Sequence, residues 1–206
     1  MTTTAAPATK NRRDRGETRQ RLLDSALGVF ARNGYERATV DEIVREAGFS
    51  KGAFYVHFES KDDLFWEMLQ ERIEKQQELF RQAIDVSQSV EENEKRVLQV
   101  VFGANDDPLG PAVFLEFSAH GMRNPKVQER LSEMYGRWHS FVSETLMAGR
   151  EMGLVRDDID ISLLASAIMA IMEGGMIQSH LAPEHLRLSR RVDELARLLS
   201  ELITRR

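Results

Sequence analysis

Within the five positions 51–55, Lys51, Gly52, Ala53 and Tyr55 offer a cation, a residue with no side chain, a methyl group and a phenol. At about 100° per residue, Lys51 and Tyr55 share one side of a short helix with Gly52 and Val56 beside them, and Phe54 and Phe58 fall roughly opposite. A cation, a glycine permitting close approach and a phenol with a hydrogen-bonding tip suit a phosphate-lined groove better than a protein core. Thr39, Ser50 and Lys61 flank this side with two hydroxyls and an ammonium, groups that hold phosphate oxygens. His57 lies on the inward edge of the same helix, where it braces the motif.

Three helix starts position these residues. Thr39 and Glu42 have the Thr-x-x-Glu form of a capping box, so a helix begins there with Ile43, Val44 and Ala47 inward and Asp41, Glu42, Arg45 and Glu46 toward water. Gly48 ends it. Ser50 caps the second short helix, and Ser60 with Asp63 repeats the pattern for a third. That third cap leaves Lys61 in a first turn, where a cation opposes the helix dipole and points to an anion nearby.

The order Gly34, Thr39, Ile43, Ala47-Gly48, Ser50, Gly52, Tyr55, His57-Phe58, Lys61 and Leu64 resembles the DNA-binding domain of the TetR family of bacterial repressors. Val44 and Phe49 stand where smaller residues are more usual. The resemblance covers roughly the first third of the chain. It implies a dimeric regulator with one recognition helix per operator half-site, and a C-terminal domain whose small-molecule effector alters the spacing of the two heads.

Composition agrees with a soluble two-domain protein: 206 residues, 42% apolar and 30% charged. There is no cysteine, which excludes disulfides and thiolate metal sites and fits a reducing cytoplasm. The N-terminus shows no apolar signal sequence. The net charge of -5 argues against nucleic acid until it is divided. Residues 1–65 carry eleven Lys or Arg against ten Asp or Glu, and Lys10 to Arg21 alone hold six basic residues against two acidic. Residues 1–17 therefore read as a flexible basic arm, 18–65 as the helix-turn-helix domain and 66–206 as the effector-binding and dimerisation domain.

Periodicity makes the whole chain all-α, with about nine helices and no strand-like alternation. A stripe from Leu22 to Phe30 predicts a first helix from about Thr18, and a long helix begins at Ser60. Val86 to Glu94 reads as a loop, and Asn105 to Pro108 as a turn. Further helices start near Pro111, at Asn124-Pro125 and after Asp160.

From Ile161 to Ile177 the pattern is apolar nearly all round. It is too interrupted by Ser162, Ser166 and Glu173 for a membrane span and must be covered by protein. With the last helix it predicts a two-fold dimer through Leu164, Ile168, Ile171, Gly175, Val192, Leu195, Leu199 and Leu202. For the effector pocket that the resemblance implies, the candidates are Phe114, Phe117, His120, Trp138, Phe141, Met169, Met172 and Met176, suiting a largely apolar molecule. Glu116 or His120 could orient a polar group on it.

No third ligand at fixed spacing supports a metal site. No phosphate loop or nucleophile elbow supports an enzyme, and no cofactor is implied. The reading is thus a ligand-responsive repressor of double-stranded DNA. The alternative is a helical carrier or interaction module without sequence-specific DNA binding.

Overall fold

Leu22, Leu23, Ala26, Val29 and Phe30 return to one face every three to four residues, and all five are buried. In the computed structural model, which describes residues 8–85, 87–103, 111–182, 184–185 and 188–204, this first helix, α1, spans Ala8–Arg37. It starts ahead of the Thr18 that the stripe predicts, because a nucleated helix propagates through good helix formers without needing an apolar face. Gly34 breaks it internally with φ 74° and ψ 173°, a conformation that only glycine adopts readily.

The remaining helices are α2 (Val40–Ala47), α3 (Lys51–Tyr55), α4 (Lys61–Ala83), α5 (Val90–Gly103), α6 (Pro111–Gly121), α7 (Pro125–Glu151), α8 (Ile161–Leu181) and α9 (Val192–Ile203), with one 3-10 turn at Leu188–Arg190. Among the described residues there is no strand, so the chain is all-α. The turn at Asn105 to Pro108 and the first seven residues of the basic arm lie outside the described residues.

One element corrects the sequence expectation. Val90 to Glu94 is the start of α5 rather than loop, because Ser89 Oγ accepts the N–H of Glu92 at 3.1 Å and Glu91 and Glu92 favour the positive end of the helix dipole. Ser89 and Glu92 carry the spacing of a capping box, so the signal was present locally.

The chain forms two compact units: Met1–Arg72 with Pro108–Phe117, and Ile73–Asp107 with Ser118–Arg206. The first unit is built on an aromatic cluster. Phe30 and Tyr35 meet Phe65 edge-on at 5.2 and 5.0 Å, and Phe117 of α6 reaches Phe65 at 4.3 Å and Tyr35 at 5.0 Å. Tyr35 donates its phenolic hydrogen to Asp62, and burial together with that carboxylate holds the phenol far above its usual range. The second unit centres on Leu98 and Phe102 of α5, Leu146 of α7, Leu164, Ala165 and Ile168 of α8, and Ala196, Leu199 and Ile203 of α9.

Candidate nucleic-acid interface and the apolar body

Thr39 and Glu42 form the reciprocal box that their spacing predicts. Glu42 N–H reaches Thr39 Oγ1 at 3.2 Å, and Thr39 N–H reaches Glu42 Oε2 at 2.9 Å. The Thr39 hydroxyl also donates to Glu42 Oε2 at 2.8 Å, which commits its one proton internally. Gly48 takes the left-handed conformation with φ 73°, and Phe49 N–H closes back on Val44 O at 2.8 Å. Arg21 secures this turn from α1, donating to Ala47 O at 2.8 Å with its guanidinium over the Phe49 ring.

Ser50 Oγ accepts the N–H of Ala53 at 3.2 Å and keeps its own hydrogen for another acceptor. Phe54 is fully buried, whereas Tyr55 is 53% and Val56 60% exposed. The outward side of α3 is therefore the one predicted. Lys51 lies there too, within 3.0 Å of Asp41 across the α2–α3 turn, with both side chains exposed. A Cβ on Gly52 would meet nothing closer than Ser50 Oγ at 3.7 Å. The protein's own packing thus leaves room for alanine at Gly52.

Lys61 and His57 make contacts within the head. Lys61 Nζ donates to Tyr35 O at 2.7 Å and Ala38 O at 3.0 Å, and lies 4.3 Å from the Tyr35 ring centre. It braces the end of α1, and burial pulls its pKa down against the nearby carboxylates of Glu36, Asp62 and Glu116. A half-buried His57 stands beside Phe58, and burial, reinforced by the charges of Arg15 and Arg19, lowers its pKa. Its bracing role agrees with its inward position.

The expected effector residues do not converge. Phe114 and Phe117 fall in the first compact unit, Phe117 wholly inside its aromatic core. Glu116 turns to the backbone of the first unit, accepting the N–H of Glu36 at 3.2 Å. In the second unit, His120 pairs with Asn124 at 3.3 Å. Trp138 packs edge-on against Phe80 and Phe141, and Phe141 borders an open groove of about 580 Å³ with Arg81, Glu133, Arg137 and Glu144. Met172 and Met176 pack on the α5–α7–α8–α9 core, and Met169 is half-buried. Aromatic and methionine content marks apolar faces without saying which helix each face meets.

The dimerisation set is also redistributed. Leu164, Ile168, Gly175 and Leu199 are buried in the second unit's own core, and Val192, Leu195 and Leu202 pack partly against it. A Cβ on Gly175 would sit 2.6 Å from Leu188 Cδ1, so this glycine serves an internal close approach. On α8 and α9 the large apolar residues left in water are Leu163 at 64%, Ile171 at 37%, Leu181 at 73% and Leu198 at 61%. A helix apolar all round has two usable stripes, and its sequence does not rank them.

Sequence reasoning assigned no role to two half-buried carboxyls of the second unit. Glu173 accepts the Tyr135 hydroxyl at 2.6 Å, and burial with this bond raises the tyrosine pKa. Glu94 has no such donor. Its only sequence signal is the position: one turn from Val90 and one from Leu98, on the stripe that faces the core.

Two short capped helices around a left-handed glycine, with a polar, exposed second helix, make the first unit a helix-turn-helix DNA-binding head. The pattern of bacterial regulatory proteins of the tetR family matches residues 22–68, and that of the BetI-type transcriptional repressor C-terminal domain matches residues 91–204. The chain belongs to the TetR family of transcriptional regulators.

It is 26% identical over 158 residues to the HTH-type transcriptional regulator UidR of Escherichia coli strain K12, covering 76% of this chain and 79% of that one. Among solved structures, FadR of Bacillus subtilis in complex with stearoyl-CoA matches with a TM-score of 0.76 at 21% identity, over 89% of this chain and 98% of that one. A regulator from Saccharomonospora viridis in complex with choline matches with a TM-score of 0.76 at 24% identity, over 93% and all of the respective chains. These two establish a shared fold.

Proposed function

We propose that the chain is a cytoplasmic, homodimeric repressor that binds a pseudo-palindromic operator through α3 and leaves it when a small molecule occupies the α-helical body. The observation that carries this is the outward side of α3, where Lys51, Gly52, Ala53 and Tyr55 stand clear of the head's core. Ser50 with its free hydroxyl hydrogen and Lys51 serve the phosphates, and Gly52 and Tyr55 serve the groove. Thr39 and Lys61 support the reading indirectly, by fixing the helix ends that aim α3.

One head carries nearly balanced charge and binds weakly alone, so two must act together. Support for pairing comes from α8, of whose most apolar 18-residue window only 22% is buried within the chain. Leu163, Ile171 and Leu181 on α8 and Leu198 on α9 form the face that a second copy would cover. The family and the two ligand-bound neighbours support an effector site in the body. Their ligands, an acyl-CoA and choline, differ in charge, so the fold leaves the effector's chemistry open. Effector release of DNA then follows if the ligand favours a body geometry whose heads no longer match the half-sites.

Selection of bound fragments from genomic DNA, followed by footprinting, tests this. A two-fold protected site is expected; a carrier or interaction module would protect none.

A further inference from the structure

Among the described side chains of the first unit, only two large apolar ones stand mostly in water, and they are neighbours: Tyr55 and Val56, at the end of α3. Tyr55 has a hydroxyl to offer a polar partner, whereas Val56 has nothing but two methyl groups. The Val56 backbone, at φ -73° and ψ -25°, continues the helix, and Phe58 N–H closes on Phe54 O at 3.0 Å around it. Phe54 and Phe58, two residues before and two after, are both buried, so at about 100° per residue Val56 is held pointing away from the head's core. Gly52 lies one turn earlier on the same stripe. Beyond its chain neighbours, the nearest side-chain atom to a Cβ there is Ser50 Oγ at 3.7 Å, so Val56 does not fold back over the glycine and a shallow recess stays open between them.

In the major groove the edges of the base pairs are lined with hydrogen-bond donors and acceptors and carry one apolar group, the C5-methyl of thymine. A stiff, branched side chain with no polar atom cannot bond the former and loses little entropy in packing against the latter. We infer that Val56 is a base-reading residue: it packs on the methyl of one thymine in each half-site, with that methyl seated in the recess beside Gly52. The operator then carries thymine at two positions related by its two-fold axis. This rests on the reading of α3 as the recognition helix and adds a base that it selects, a role that Ser50 and Lys51, directed at phosphates, do not fill.

The test uses the operator fragment recovered by genomic selection, synthesised with each thymine in turn replaced by deoxyuridine, which removes the C5-methyl and keeps every hydrogen-bonding atom. In fluorescence anisotropy with the full-length protein, one such replacement per half-site is expected to weaken binding about four-fold, the effect of one buried methyl group, and the pair together roughly fifteen-fold. Val56→Ala, which alters both heads, should bind the thymine operator about as weakly as the parent binds the doubly replaced one, with no further loss when uracil is placed at those two positions. At all other thymines parent and variant should respond alike. Val56→Thr, equally branched but with one methyl fewer, should fall between them, and circular dichroism of both variants should match the parent because the side chain is exposed.

A uracil penalty that persists undiminished in Val56→Ala, a parent protein indifferent to uracil at every position, or a Val56→Ala protein that binds as tightly as the parent would overturn the assignment. The reading of α3 is scored separately, by footprinting. A protein that protects no two-fold site loses both readings, whereas one that protects a site and is indifferent to uracil keeps its recognition helix and loses Val56 as a reader.

Discussion

Glu116 holds both carboxylate oxygens 2.6 Å from the point where a Cβ on Gly34 would project, and it accepts the N–H of Glu36 at 3.2 Å. The glycine is required twice there, by its positive φ of 74° and by the acid pressed against it. Gly34→Ala should therefore destabilise the head by roughly 2–4 kcal/mol, a clash added to backbone strain. Glu116→Ala, which leaves one backbone N–H without its acceptor, should cost about 1 kcal/mol. Calorimetric melting of the two variants gives the order; a Gly34→Ala protein as stable as the parent would mean that the turn relaxes.

Lys61 has its ammonium directed into the Tyr35 and Ala38 carbonyls, 2.7 and 3.0 Å away. Removing that charge while keeping the stem, as in Lys61→Met, should lower stability by about 1.5–3 kcal/mol, the range for hydrogen bonds to charged groups. The salt dependence of DNA binding should not change. Lys51→Met, by contrast, should leave the melting temperature nearly unaltered and make the slope of log K against log salt shallower by about one. If Lys61→Met also flattens the slope, its ammonium leaves the carbonyls for a phosphate when DNA binds.

The space around Gly52 is open to a methyl group, so Gly52→Ala should fold normally. If the α3 backbone approaches a groove wall, the added methyl should weaken operator binding ten-fold or more, about 1.4 kcal/mol. Tyr55→Phe, at a side chain 53% exposed, isolates the hydroxyl in the same way. Fluorescence anisotropy with a labelled operator, paired with circular dichroism, separates lost binding from lost folding.

Neighbouring leucines of α9 should behave oppositely. Leu199 is completely buried and Leu198 is 61% exposed. Leu199→Ala should cost about 2–5 kcal/mol through the cavity it leaves. Leu198→Arg, combined with Leu163→Arg on α8, should spare the monomer's fold and shift sedimentation toward the monomer. A double variant that still sediments as a dimer would place the interface elsewhere.

Glu94 predicts a pH dependence. With a folded pKa of about 7 against an ordinary 4.5, the folded state binds the extra proton between those values. Its contribution to stability is thus full below about pH 4.5 and is lost as pH rises through about 7. Glu94→Gln removes that loss, so the variant's unfolding free energy should track the parent's in acid and exceed it above pH 7 by on the order of a few kcal/mol, with a correspondingly higher melting temperature. A difference that is constant from pH 4 to 8.5 would mean that the carboxyl is hydrated rather than enclosed.

The sequence by itself determined the local machinery. Both capped starts at Thr39 and Ser50, the stop at Gly48, and the division of α3 into a Phe54 side and a Tyr55 side follow from backbone groups and spacings within a few residues. The all-α class follows from periodicity for the same reason. Tertiary structure decided what depends on contacts distant in the chain. Glu116 meets Glu36 across 80 residues, Phe117 leaves the expected effector set for an aromatic cluster, and Lys61 finds two carbonyls where a phosphate was expected. On α8, a helix with apolar residues on every side, only packing chose Leu164 and Ile168 for the core and left Leu163 and Ile171 outside. A helical period says which residues share a face, and the free energy of burial, summed over all neighbours, says which face is covered.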